Sequence, residues 1–165
     1  HHQTGPIALR YPRGEVAGVK MDKEPICLPI GKGELISADG DDIDVCLISV
    51  GYSVQSSLEA QRLLREKGIK TALINARFIK PLDEELILYW ANRSRLLVTV
   101  EENAAMGGFG SGVLELLQAR HLQKDCLILG LPDQFIEHAA PKAQRAMTFL
   151  DGPGIFLKTF EKLQT

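Results

Sequence analysis

Four short, nearly uninterrupted apolar runs, Val45–Val50, Thr71–Asn75, Leu96–Val100 and Cys126–Leu131, alternate with segments of helical periodicity. A strand that is apolar on both faces must be covered on both faces, so these runs read as central strands of a parallel or mostly parallel α/β sheet. An earlier run, Glu34–Ala38, is joined to the first of them by Asp39-Gly40-Asp41-Asp42. That DG turn predicts an antiparallel edge strand.

The intervening segments predict four helices. Ser53–Lys67 places Val54, Leu58, Leu63 and Leu64 on one stripe, with Ser53 as its N-terminal cap and Gly68 at its end. Leu82–Asn92 follows Pro81, carries Leu86, Ile87 and Trp90 at helical spacing, and has Asp83 and Glu84 in its first turn, where negative charge suits the helix dipole. Ser111–Leu122 has Val113, Leu114, Leu116 and Leu117 for its apolar side, and Ile155–Leu163 closes the chain. The first 32 residues differ: punctuated by Pro and Gly, they read as extended segments and linker, with Ile7-Ala8-Leu9 as a short strand that has no evident partner.

The chain has 165 residues, 45% of them hydrophobic, enough for one domain with a packed core. Nineteen basic residues against 21 acidic ones provide no broad attraction for nucleic acid or for an anionic membrane. No apolar stretch approaches the roughly 20 residues of a membrane-spanning helix. Cys27, Cys46 and Cys126 form no CxxC pair and read as reduced core residues of an intracellular protein. The expected location is the cytoplasm, or an organelle after loss of a transit peptide. The chain begins His1-His2-Gln3 without an initiator methionine, which carries the expectation of a fragment.

Several motifs can carry chemistry. Gly107-Gly108-Phe109-Gly110-Ser111-Gly112 lies between a strand and a helix, where backbone amides can hold an anion, but it lacks the spacing of a dinucleotide or P-loop motif. Close packing of loop and helix is the favoured reading. Glu101 and Glu102 end a strand on the edge where open α/β sheets bind ligands. Neighbours on an extended chain point opposite ways, so the two carboxylates are expected to serve structure or an interface. His138, with Asp133 or Glu137 as orienter, has no nucleophile beside it and reads as a surface histidine; His121 reads as a polar or capping side chain. Arg10 and Arg13 flank Tyr11-Pro12 on a turn suited to gripping a carboxylate or phosphate. Local chemistry alone favours a salt bridge or a solvated loop for them.

Taken in order, Gly5-Pro6, Arg10-Tyr11-Pro12-Arg13-Gly14, Leu28-Pro29-Ile30-Gly31-Lys32-Gly33 and Asn75-Ala76-Arg77-Phe78-Ile79-Lys80-Pro81-Leu82-Asp83 resemble the 1-deoxy-D-xylulose-5-phosphate synthases. Val98–Asn103, the Gly107–Gly112 loop, Gly130-Leu131-Pro132-Asp133 with Phe135–His138, and Leu150–Ile155 continue the resemblance along nearly the whole chain. The resemblance implies the C-terminal portion of a transketolase-like enzyme, with residues 1–26 as remnant and linker of the preceding domain and 27–165 as the C-terminal domain. The implied fold is a three-layer α/β/α sandwich on a five-stranded, mostly parallel sheet with one antiparallel edge strand. Such synthases use thiamine diphosphate and magnesium to decarboxylate pyruvate and join the two-carbon unit to glyceraldehyde 3-phosphate, on the way to isoprenoids, thiamine and pyridoxal. The family's GDG motif with a following Asn, and its activating glutamate, belong to the two earlier domains and are not found here. The resemblance therefore implies that neither cofactor binds this chain, that it is inactive alone, and that its partners are the missing N-terminal and middle domains within a homodimer. By the same carry-over, Arg13, and with it Arg10, bind the phosphate of the aldehyde acceptor. It also implies a bacterial cytoplasmic location, or a plastid one in a plant or alga. Two other readings remain open at this point: the terminal domain of a transketolase or of a 2-oxoacid dehydrogenase β subunit, and a module that binds a phosphate metabolite on the Gly107–Gly112 loop.

Overall fold

A computed structural model of the chain describes residues 4–11, 23–24 and 26–165. Five strands and five helices follow one another as β1 (Glu34–Ala38), β2 (Ile43–Ser49), α1 (Ser53–Glu66), β3 (Thr71–Asn75), α2 (Glu84–Arg93), β4 (Ser94–Ala104), α3 (Phe109–Ala119), β5 (Asp125–Leu131), α4 (Pro141–Met147) and α5 (Gly152–Leu163). The strands make a single sheet in the order β1-β3-β2-β4-β5. All pairs are parallel except β1 with β3.

The two helical layers follow from the apolar runs. Cys46 and Ile48 of β2 face a cluster with Ile87, Trp90, Phe109, Val113 and Leu117 of α2 and α3. Val45 and Leu47 face the opposite cluster, with Ala60 and Leu64 of α1 and Ile155 of α5. Each strand thus divides its side chains between two cores, which is why its sequence shows no polar face.

The antiparallel edge strand is as expected, and several other expectations need correction. The DG turn joins β1 to β2, and β1 is the antiparallel edge strand, paired with β3 (Leu35 beside Ile74, Ala38 beside Ala72) since β2 is enclosed by its parallel neighbours β3 and β4. Ser53 does not cap α1: Tyr52 occupies the cap position, and the Ser53 hydroxyl is buried without a partner. The buried face of α1 is only partly the expected stripe, of which Val54 and Leu64 are buried. Leu58 is exposed, while Ser53, Ser56, Ser57 and Gln61 are buried. These polar groups face the sheet: the Ser57 and Ser49 hydroxyls are bonded at 2.6 Å, and Gln61 accepts from the Ser37 hydroxyl of β1 at 2.9 Å. Finally, Ile7–Leu9 is no strand but an exposed arm, and Leu114 of α3 is exposed.

Carboxylates cap three helices. Asp83, expected in the first turn of α2, is instead its cap and accepts from Leu86 N at 3.2 Å and Gly33 N at 3.0 Å. Asp151 accepts from Gly154 N at 2.9 Å at the start of α5. The third, at α3, belongs to the candidate site. Gly68 ends α1 at φ +75°, as its position after the helical pattern implied, and the following Ile69 N bonds back to Leu64 O at 3.1 Å. Among the described residues no helix is long and apolar enough to cross a membrane.

Candidate functional site

The chain reverses its winding direction at β2, from which one connection leads to β3 on one side while β4 lies on the other. In open α/β sheets the crevice at the C-terminal ends of such strands is the usual ligand position. Here it is bounded by Val50–Tyr52 after β2 and by Glu101–Ala105 at the end of β4.

The end of β4 is irregular, and the irregularity sets the site. Val100 pairs with Leu129, but the next pair is Ala104 with Leu131, so Glu101–Asn103 lie opposite only Gly130. Extra residues in one strand bend it and re-aim its side chains. Gly130 is required for this: a Cβ there would stand 2.9 Å from Asn103 O and 3.0 Å from the backbone of Ala105. The bulge sends the two adjacent glutamates in opposite directions, as the alternation of extended chain predicts.

Glu101 turns inward. It is 1% exposed, and its two oxygens accept from Phe109 N and Gly110 N, both at 2.8 Å. These are the first amides of α3, the groups that lack partners within the helix. An internal carboxylate thus fills the place that a phosphate would take in the Gly107–Gly112 loop. Two of the loop glycines serve packing: a Cβ on Gly108 would collide with the Glu101 carboxylate, and one on Gly110 would stand 2.5 Å from Thr99 Oγ1 and 2.7 Å from Ile128 Cγ2. Gly107 N and the Ser111 hydroxyl complete the turn at 3.0 Å.

Glu102 turns outward, to the crevice. Its carboxylate accepts from Arg145 Nη1 of α4 at 3.2 Å, and the Arg145 guanidinium lies 4.4 Å from the centre of the Tyr52 ring. Its carbonyl oxygen accepts from Arg10 Nη2 at 2.7 Å. The arm, the start of α1, the end of β4 and α4 therefore meet at one residue. Arg10 is accordingly an anchored group and not a free cation, while Arg13 lies outside the described residues.

The remaining candidates make none of these contacts. His138 is exposed on the loop between β5 and α4, and His121 is exposed just beyond α3 at φ +53°. A groove of about 730 Å³ between α2 and α3 has an apolar floor of Leu82, Phe109 and Leu116, with an Arg120–Glu84 ion pair at its edge. Cys27, expected in the core, is exposed because it precedes the first strand. Cys46 is buried in β2, and burial together with the nearby Cys126 thiol pushes its pKa up; burial raises Cys126 to about 11. Neither thiol is poised for nucleophilic work.

Residues 31–155 match the family model described as transketolase, C-terminal domain. The chain belongs to that family. Among curated relatives, the 1-deoxy-D-xylulose-5-phosphate synthase 1 of Geobacter sulfurreducens is 49% identical over 156 residues, covering 94% of this chain and 24% of that protein. The corresponding synthase of Halothermothrix orenii is 50% identical over 134 residues, covering 81% of this chain and 21% of the relative. This transketolase C-terminal domain thus spans about a quarter of the length of the synthases it matches. A solved split-gene transketolase, described as an inactive β4 tetramer, has a TM-score of 0.75 at 27% identity, over 84% of this chain and 44% of that one. The 2-oxoglutarate:ferredoxin oxidoreductase of Magnetococcus marinus, at TM-score 0.55 and 14% identity over 80% of this chain and 20% of that one, shares the fold alone.

The amides at the start of α3 are taken by Glu101 and that of Gly154 at the start of α5 by Asp151, and among the described residues no group of three or more His, Cys, Asp or Glu is arranged to hold a metal ion.

Proposed function

We propose that this chain is the C-terminal domain of a 1-deoxy-D-xylulose-5-phosphate synthase, which condenses pyruvate, with decarboxylation, and glyceraldehyde 3-phosphate. The observation that carries the reading is the 49% identity to such a synthase across 94% of the chain. In this reading residues 1–26 belong to the preceding domain and linker, and residues 27–165 form the C-terminal unit. Thiamine diphosphate and magnesium are held by the parts of the synthase that lie beyond these residues. The Glu101 bonds support that division, since they close the helix start that an anionic cofactor would otherwise use. The domain's own work is assembly: it docks on the N-terminal and middle domains within a homodimer and brings the arm with Arg10 and Arg13 to the acceptor's phosphate. The enzyme works in the bacterial cytoplasm, or in a plastid in a plant or alga.

Alone, the chain is inactive and has no affinity for thiamine diphosphate. Two measurements test this. Calorimetry of the chain with thiamine diphosphate and magnesium should show no heat of binding, whereas micromolar affinity would refute the division of labour. Replacing the C-terminal quarter of the Geobacter sulfurreducens synthase with this chain should retain condensation of pyruvate with glyceraldehyde 3-phosphate. A folded, cofactor-loaded hybrid without that activity would refute the assignment.

A further inference from the structure

The two ends of the sheet differ in what they show to solvent. The turns that lead into the parallel strands are polar: Asp41 and Asp42 precede β2, Lys67 and Lys70 precede β3, and His121 and Gln123 precede β5, all exposed. At the other end the chain leaves β4 through Met106 and β5 through Phe135, which are 77% and 105% exposed. The linker into β1 enters at that same end, because β1 is antiparallel and its first residue, Glu34, pairs with the last of β3, Asn75. It brings Ile26, Leu28 and Ile30, each at least half exposed. The arm is held there by the Arg10 bond to Glu102, and α4, with the exposed Met147, by the bond of Arg145 to the same residue. Every large apolar side chain among the described residues that is at least half exposed therefore belongs to this end of the sheet. Exposed apolar side chains gathered in one place mark an interaction surface.

We propose that the end of the sheet from which the parallel strands exit is the surface on which the preceding part of the same polypeptide docks, with Met106 and Phe135 as apolar anchors. The proposal deepens the functional reading and rests on the part of it that makes this chain the terminal domain of a longer synthase. Three observations favour that occupant. About three-quarters of each matched synthase lies outside the aligned residues, which is ample chain to cover the surface. The arm and the linker already lie at this end, so the preceding chain reaches it without crossing the sheet. The charges beside the arm are paired in advance: Glu102 bonds Arg145, which also covers the Tyr52 ring, so burying them strands no bare charge. Lys80, Asp133 and Glu137 are exposed and suit a polar rim. A partner at the opposite end would instead have to desolvate Asp41, Asp42, Lys67 and Lys70. A second copy of this chain fits less well, since it would share the apolar end with the arm and linker.

The test compares the complete synthase polypeptide ending in this domain with this chain alone, by hydroxyl-radical footprinting read by mass spectrometry. Met106, Phe135 and Met147 should label at least about fivefold more slowly in the complete polypeptide, because water is excluded from the core of an interface. Tyr89 of α2 and Leu157 of α5, exposed on the helices, should label equally in both. Equal rates for the first three residues in both proteins overturn the proposal. So does protection in this chain alone that grows with its concentration, which would make a second copy the occupant. Phe135→Asp gives an independent reading. Because Phe135 is fully exposed, the unfolding midpoint of the chain alone should not move. In the complete polypeptide the same change should speed Met106 labelling at least about threefold, and an unchanged rate overturns the placing of Phe135 in the docking surface. Activity is read separately: a complete polypeptide that protects these residues without condensing pyruvate with glyceraldehyde 3-phosphate upholds the docking and overturns the synthase reading.

Discussion

Replacing Glu101 is the sharpest test of how the end of β4 holds α3. Its carboxylate makes two buried hydrogen bonds of 2.8 Å to the first amides of the helix. Bonds to a charged partner are worth about 1.5–3 kcal/mol each, and the desolvation of the carboxylate takes some of that back. Glu101→Ala also leaves two amides without their acceptor and empties the space beneath Gly108, so the net loss should be about 4 kcal/mol. With a urea m-value of about 2 kcal/mol/M, the unfolding midpoint should fall by about 2 M. Glu101→Gln keeps one carbonyl acceptor and turns an amide N–H toward the other donor, so it should lose about half as much. The vacated amides should then accept an external anion. For a site with a dissociation constant of about 50 mM, 0.5 M sulfate restores about 1.4 kcal/mol to Glu101→Ala, over and above its general salt effect on the wild type. A midpoint shift under about 0.5 M would refute the reasoning, since by that scale the two bonds carry no net stabilisation.

Gly110→Ala forces a Cβ to 2.5 Å from Thr99 Oγ1 and should cost about 1–3 kcal/mol by chemical denaturation, while Gly112→Ala, which meets nothing within 4 Å, should stabilise the helix by about 0.5–1 kcal/mol. Burial alone would raise the Asp39 pKa, but hydrogen bonds from Arg65 and Thr71 outweigh it and hold the carboxyl below its ordinary value. Its stabilisation is therefore complete above the unfolded value of about 3.9 and is lost as pH falls through the lower folded value. The difference in unfolding midpoint between wild type and Asp39→Asn should be largest at neutral pH and shrink below about pH 4. A thiol-reactive disulfide reagent should modify the exposed Cys27 rapidly, the half-buried Cys126 more slowly, and Cys46 only at the rate of unfolding; rapid labelling of all three thiols by mass spectrometry would contradict the burial of Cys46.

The strands were legible because a strand covered on both sides has to be apolar throughout, and Val45–Val50 or Cys126–Leu131 can hardly be read otherwise. What covers them was less so. The periodicity of α1 found Val54 and Leu64 but also favours Leu58, whereas the buried face also holds Ser53, Ser56, Ser57 and Gln61, and the partners of Ser57 on β2 and Gln61 on β1 are long-range polar contacts that hydrophobic spacing does not record. The DG turn correctly marked β1 as an antiparallel edge strand, but a turn reports only where the chain reverses. The partner, β3, is chosen by the competition of the remaining strands for β2. The role of Glu101 had a local signal, an acidic residue at a strand end eight and nine positions before Phe109 and Gly110, and the expectation of a structural part for it agrees with the geometry. Arg145 and Tyr52 had none, since the Arg145–Glu102 pair joins positions 43 residues apart and Arg10 reaches Glu102 across 92.

The pairing of β1 has a consequence for biosynthesis. β1, which is made before the other strands of this sheet, has no adjacent site to occupy until Thr71–Asn75 has left the ribosome, and β2, which emerges in between, must leave that side of β3 open. Throughout that interval Leu35 and Ile36 are presented to the surroundings on an unpaired backbone, the kind of edge that recruits neighbouring chains. Translation speed across residues 39–75, more than the stability of the finished sheet, would then govern how much of the nascent protein reaches the folded state.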